Sequence, residues 1–460
     1  MSHNDPSSQF HKWIIQAHLE RLRRGLAGGV SDRIPEELRA IGIELSDSAR
    51  NIAEKLAAEI TRRASGIRRL RSGAAEKDAL GAELLKSLRN EEVMSGSTAE
   101  RIAHIRAERP EDIDIGTLGE SMPRLPDDPK ELNEFWSTLS PTEKATVWAA
   151  DNFVGNLDGI PQAERDFFNR LNLHNLLTRA RVEGNPEAIT SYEQIENAIG
   201  EEGKYYLSYL DKDFRTAISR ENPDESDFIV TYLGGAGTSP VKNLNIAEKL
   251  RNAARGVRRE GEPEPRVAAI RWQSYQRPPS ARYAWDPSYA DNAAPLLRRY
   301  QQGLQVTHMG EGQPYTTMVG HSYGNVVLGH AADGEMVGDA ALHADNLVLV
   351  GSFGVGVDHV SDLRLAGVDT LEMKNRVYAT MAEYDSFKTM PKHGRMPTSP
   401  EFGAKVFTSE STRGPWKSAF LNPKDHAGYF GPEDQVEFNP DNPTMVSIGK
   451  IILGRGAEVA

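Results

Sequence analysis

Cysteine is absent from the 460 residues. Thiol nucleophiles, disulfide staples and thiolate-held metals are therefore excluded as the basis of fold or chemistry. No run of the sequence approaches the roughly 18 apolar residues that a membrane-crossing helix needs. The opening residues Met1 to Pro6 carry neither a basic cluster nor an apolar stretch, so a Sec signal peptide is not expected. A cytoplasmic location is the default, with export by a route of the type VII kind left open. Positive charge is in deficit: 54 Lys and Arg against 66 Asp and Glu give a formal net charge of −12. That balance argues against a nucleic-acid partner. Arginine clusters only locally, as in Arg62-Arg63 and Arg68-Arg69-Leu70-Arg71, and on a helix such a cluster is ordinarily a solvated face. Metal-binding signatures such as H-E-x-x-H are missing too, and neither a metal nor a cofactor is expected.

What is present is a chain long enough for two or three units, with 38 % hydrophobic residues to build a core. Residues 1–106 read as helical. Phe10, Ile14 and Ala17 open one apolar stripe; Ile52, Leu56, Ile60 and Ile67 form a second, and Leu80, Leu84 and Leu88 a third. Spacings of three and four put these side chains on one helix face, as in a hairpin that packs on itself or on a helical protein partner. A polar, proline-bearing linker is expected over 107–130. A helical lead-in packed on the catalytic domain follows over 131–215, with a helix start at Ser140-Pro141-Thr142-Glu143. Within 216–460 the period changes. Short β-branched or aromatic runs at 227–233, 267–272, 315–319, 346–350 and 376–382 alternate with helical stretches such as 245–257 and 291–304. This pattern predicts an α/β fold with a mostly parallel sheet covered on both faces.

The sharpest chemical signal is Gly320-His321-Ser322-Tyr323-Gly324, placed after a strand and before the helical run 325–331. In a nucleophile elbow the serine sits on a strained strand-to-helix turn, and flanking glycines relieve close contacts there. The expected fold is the α/β-hydrolase fold, with partners in the order serine, acid, histidine. Asp385, just past the strand at 376–382, is the expected acid, and Asp358 competes with it. His426, near the C-terminus, is the expected general base; His393 lies nearer, and His321 belongs to the elbow. The backbone N–H of Tyr323 and one from the glycine loop 234–237, at Gly235 or Ala236, are the expected oxyanion donors. That loop lacks the Lys-Ser/Thr of a phosphate-binding loop. The constellation implies acyl transfer from a small-molecule or lipid ester through an acyl-enzyme. The stretch 355–375 reads either as a lid or as an ordinary connection. Tyr209-Leu-Asp-Lys-Asp213 matches a loose Tyr-x-x-x-Asp export pattern, which suits an alternative reading as a secreted or partner-binding effector.

Four segments, in order, resemble a known group: Val154 to Pro161 with Arg165-Asp166 and Asn169-Arg170, then Trp272 to Tyr275 with Pro278, then Gly320 to Gly324, then Val350 to Asp358. The group is an actinobacterial α/β-hydrolase family catalogued as a domain of unknown function. The resemblance spans about residues 128 to 429 and implies a serine hydrolase whose triad matches Ser322, Asp385 and His426. It also implies a helical N-terminal region. This chain departs from the family in having Leu233-Gly-Gly-Ala where a proline–glycine pair opens the oxyanion loop.

Overall fold

Runs of β-branched, aromatic and alanine residues form one eight-stranded sheet in the order β1-β2-β4-β3-β5-β6-β7-β8. The computed structural model describes residues 125–140, 143–144, 147–148, 151–200, 203–237, 239–337, 341–389, 392–409 and 423–459. The helical region expected over 1–106 and most of the linker 107–130 lie outside the described residues.

The strands are β1 (Tyr205–Leu210), β2 (Thr216–Arg220), β3 (Phe228–Leu233), β4 (Val267–Gln273), β5 (Tyr315–His321), β6 (Asn346–Val350), β7 (Val377–Thr380) and β8 (Lys405–Val406). From β4 onward across the sheet all neighbours are parallel, whereas β1 and β2 form an antiparallel hairpin on its edge. The hairpin corrects the sequence reading. The last part of the expected helical lead-in, Y-Y-L-S-Y-L, is strand β1, so the boundary at 215/216 would cut a hairpin in two. Five of its six residues are tyrosine or leucine, some buried and some half-buried, which suits a pleated, half-buried edge better than a helix. The Tyr209–Asp213 segment is the end of this strand and its turn, with the Tyr209 hydroxyl donating to Asp211 at 3.2 Å.

Helices α1 (Pro129–Thr138), α2 (Gln162–Glu183) and α3 (Pro186–Ile199) precede the sheet. The resembling segment around Arg165 forms a polar seam between α2 and β1. Asp166 accepts from the Leu207 N–H at 2.6 Å and is paired with Arg170 at 2.9 Å. Asn169 donates to the carbonyls of Gly155 and Leu207, and Arg165 pairs with Asp158 at 3.1 Å. These buried groups satisfy the backbone where the helix meets the sheet edge.

Along each central strand, side chains alternate between two cores. Ile229, Ile270, Trp272, Met318 and Leu347 pack on one face with α5 (Ser288–Thr307) and α6 (Tyr323–Ala332). Val230, Tyr232, Ala269, Val319 and Val348 pack on the other with α4 (Leu244–Gly256) and α7 (Pro443–Ile452). Each fully buried aliphatic side chain contributes about 1.5–3 kcal/mol. Covering both faces explains why the central strands are apolar throughout rather than alternating. The stretch 355–375 is a connection: Val355, Val360, Leu363 and Leu365 are buried in the first core.

Candidate active site

Register brings the site together. Leu233 pairs with Gly320, His321 with Val350, and Val350 with Thr380. The carboxyl ends of β3, β5, β6 and β7 are therefore level, which is where open α/β sheets present their ligand sites. Gly235, Ser322, Gly351 and Asp385 follow these four ends.

Ser322 has φ 55° and ψ −125°, a left-handed conformation that a residue with a Cβ rarely adopts. Holding it costs on the order of 1–3 kcal/mol, and such strain persists only where the surroundings impose it. Here they do. The Ser322 N–H donates to the Val350 carbonyl at 3.2 Å, and the Asn325 amide donates to both the Ser322 and Val350 carbonyls at 2.9 Å. The elbow also needs its second glycine, because a Cβ on Gly324 would lie 2.1 Å from the Leu233 carbonyl oxygen.

Asp385 is fully buried and sits on the turn after β7. Its carboxylate meets His426 Nδ1 at 2.9 Å through Oδ2 and at 3.1 Å through Oδ1. The Tyr429 hydroxyl donates to Oδ2 at 2.5 Å, and the Phe387 N–H donates to Oδ1 at 2.8 Å. Burial works to raise this carboxyl's pKa, but the His426 hydrogen bond and charge, with Tyr429 and Phe387, outweigh it and hold it below the usual value. The carboxylate partner assigns the Nδ1–H tautomer to a neutral His426, leaving a lone pair on Nε2. That nitrogen is buried and makes no hydrogen bond among the described residues. The Phe387 ring stacks on the imidazole, with centroids 3.6 Å apart and planes 10° from parallel.

Ser322 and His426 line one cavity of about 240 Å³, together with Gly235, Ala236, Phe387 and Phe430. A Cβ built on Gly235 would stand 3.0 Å from Ser322 Oγ, so the glycine loop lies directly against the nucleophile position. The Tyr323 N–H is the first of α6, where no intrahelical acceptor exists. Gly237 is spent elsewhere, donating to the Pro278 carbonyl at 3.0 Å. A larger depression of about 540 Å³ at Asn252, Arg255 and Glu264 holds no serine or histidine.

The competitors lie apart from this constellation. Asp358 is exposed and caps the Arg395 N–H at 2.8 Å. His393 is committed through Nε2 to the Ala284 carbonyl at 2.8 Å. Sequence reasoning missed three residues beside Asp385 and His426: Phe387, Tyr429 and Gly351. Gly351 has φ 57°, and a Cβ there would come within 3.3 Å of Asp385 Oδ2 and of His426 Cε1. Its sequence signals were its place directly after β6 and its position in the resembling segment Val350 to Asp358.

His321 braces the base from behind. Its Nε2 lies 2.7 Å from the His426 carbonyl, and the rings of His426, Tyr429 and Phe430 surround it, although one edge borders the cavity. Burial first, and the His426 charge second, depress its pKa from about 6.5 to about 3. The unfolded chain takes up a proton near 6.5 that the native ring refuses until about 3. Stability is therefore intact above 6.5 and falls as pH drops, by at most about 1.4 kcal/mol per unit. Substituting His321→Leu is expected to flatten this slope. Urea midpoints between pH 6.5 and 4 test it, and parallel slopes for both proteins would overturn it.

A family model described as "Alpha/beta hydrolase" matches residues 216–393. The fold is the α/β-hydrolase fold. The match runs from β2 through Asp385 and ends before His426. An uncharacterized protein of Mycobacterium tuberculosis is 27 % identical over 186 residues, covering 38 % of this chain and 67 % of that protein. An uncharacterized Mycobacterium bovis protein matches to the same extent. Among solved structures, a putative carboxylesterase of Lactobacillus plantarum aligns at 13 % identity over 40 % of this chain and 75 % of its own, with a TM-score of 0.25. An arylesterase aligns at 11 % over 47 % and 80 %, also with a TM-score of 0.25.

Proposed function

We propose that this protein is a serine hydrolase acting on carboxylic esters through Ser322, His426 and Asp385. The observation that carries the reading is the His426 ring, fixed through Nδ1 by a buried carboxylate and left with an unpartnered Nε2 in the cavity of a strained serine. His426 removes the Ser322 proton as the oxygen attacks the ester carbonyl. Asp385 stabilises the imidazolium that forms, without itself taking the proton. The N–H groups of Tyr323 and of Gly235 or Ala236 receive the oxyanion, each worth about 3 kcal/mol in the transition state. His426 then protonates the departing alcohol, an acyl-enzyme remains, and water activated by the same histidine releases the acid.

The Asp385 pairing favours this assignment over Asp358, and the free Nε2 favours His426 over His393. A cavity of about 240 Å³ is small for a drug-sized ligand and suits a short acyl group. The experiment is labelling with a fluorophosphonate probe. The wild type should label and Ser322→Ala should not. Folded wild-type protein that stays unlabelled, or a variant that labels equally, would sink the proposal.

A further inference from the structure

One part of the cavity lining is the segment that leads into α4, and its charges do not balance. Lys242 lines the cavity from an exposed position and has no ion pair among the described residues. Its charge is felt at His321, on the catalytic side of the same cavity. Lys249, further along the wall, is accounted for: its ammonium donates to the Gly431 and Pro432 carbonyls and has Glu433 and Asp434 beside it.

Directly behind Lys242 stand two more cations with no carboxylate. Arg271 is fully buried on β4. It donates to the Lys242 carbonyl at 2.6 Å, to Thr216 Oγ1 at 2.9 Å and to Gln273 Oε1 at 2.8 Å. Arg277 donates to the Ser239 carbonyl at 3.0 Å, and its Nη1 is buried without a partner. Every acceptor in this cluster is neutral. A buried charge normally has a counter-charge, and one that lacks it leaves a field that focuses into the nearest low-dielectric opening. In a chain of net charge −12, the buried Arg271 and half-buried Arg277 behind the exposed Lys242, none with a carboxylate partner among the described residues, are a local reversal of sign, and Glu433, the carboxylate on that wall, stands beside Lys249. The α4 N-terminus, at Asn243 and Asn245 on the same wall, adds a dipole of the same polarity.

We infer that the substrate is an anionic ester, one bearing a carboxylate or phosphate beyond the scissile bond, whose charge is held by Lys242. The inference rests on the serine-hydrolase reading for the reaction, but its charge preference can be measured without turnover. The arginines position the loop by holding its carbonyls, and they supply field rather than contact. A short neutral acyl ester fits the apolar side of the cavity equally well but leaves Lys242 unpaired.

The test compares 4-nitrophenyl hemiglutarate with its methyl ester, and acetylglycerol phosphate with acetylglycerol, to separate a charge on the acyl side from one on the alcohol side. The wild type should favour the anionic member of one matched pair by about five- to tenfold in kcat/KM. The preference should shrink with added salt. In Lys242→Met the anionic-to-neutral ratio should fall to near one, whereas Lys204→Met, which removes the same charge from an equally exposed site outside the cavity lining, should keep it. Binding of the same esters to Ser322→Ala, followed by calorimetry, reads the preference without catalysis. Anionic preference in binding with no turnover would overturn the hydrolase reading and keep this one. Equal handling of charged and neutral partners in both measurements, or an unchanged ratio in Lys242→Met, would overturn this one.

Discussion

Replacing Asp385 by asparagine is expected to lower kcat by about 10³–10⁴-fold while the protein remains folded. The carboxylate accepts from three donors at once: His426 Nδ1, the Tyr429 hydroxyl and the Phe387 N–H. An asparagine offers one acceptor oxygen and one amide NH₂. If its oxygen serves Tyr429 and its NH₂ meets His426, the imidazole must present a lone pair on Nδ1. The proton then sits on Nε2, and the base faces the serine in the wrong tautomer. If the amide is flipped, Tyr429 meets a donor, and a buried hydroxyl loses its partner at a cost of about 1–3 kcal/mol. Either way the imidazolium formed during attack has no counter-charge. Steady-state kinetics on an activated ester, with a melting curve on the same sample, measures both parts. A loss below tenfold would show that Asp385 does not orient the base.

The substitution Gly324→Ala should abolish activity and lower Tm by about 10 °C, corresponding to roughly 3 kcal/mol. The added Cβ would stand 2.1 Å from the Leu233 carbonyl oxygen and 2.7 Å from its carbon. Both atoms are backbone, and Leu233 is held in register with Gly320 at the end of β3. Relief therefore requires α6 to move away from β3. That movement carries the Tyr323 N–H away from the Gly235 loop, so the two oxyanion donors no longer converge. Thermal unfolding and fluorophosphonate labelling of the variant check the two effects together. A melting point within a few degrees of wild type, with labelling retained, would contradict the argument.

The elbow was legible because strand, glycines and helix each demand particular residues within ten positions of one another. The parallel core was legible for a similar reason, since buried strands must be apolar on both faces. The proposed acid and base, Asp385 and His426, were legible only as an order along the chain. Nothing local separates Asp385 from Asp358 or His426 from His393; the distinction lies in which side chain a level sheet edge brings beside which. Tyr429 and Phe387 were missed because an aromatic near a turn reads as ordinary core, and their roles exist only through contact. The β1–β2 hairpin was hidden by its position after two helices. The Arg165–Asp166 and Asn169–Arg170 pairs, prominent as sequence, turned out to join α2 to that hairpin rather than to reach the cavity.

The strand order has a further consequence. Ser322 follows β5, which is hydrogen-bonded on both sides by β3 and β6, whereas His426 lies outside the sheet on the short helix Pro423–Ala427. Amides in central strands exchange with solvent only when a whole domain opens, while edge segments open by themselves at far lower free energy. Ser322 is thus anchored at the end of a central strand, whereas His426 is held by side-chain packing and hydrogen bonds rather than by the sheet ladder. On the reading proposed above, such a protein would disarm before it denatures: local opening of the segment that holds His426 would leave the serine in place on the central sheet without the group that activates it.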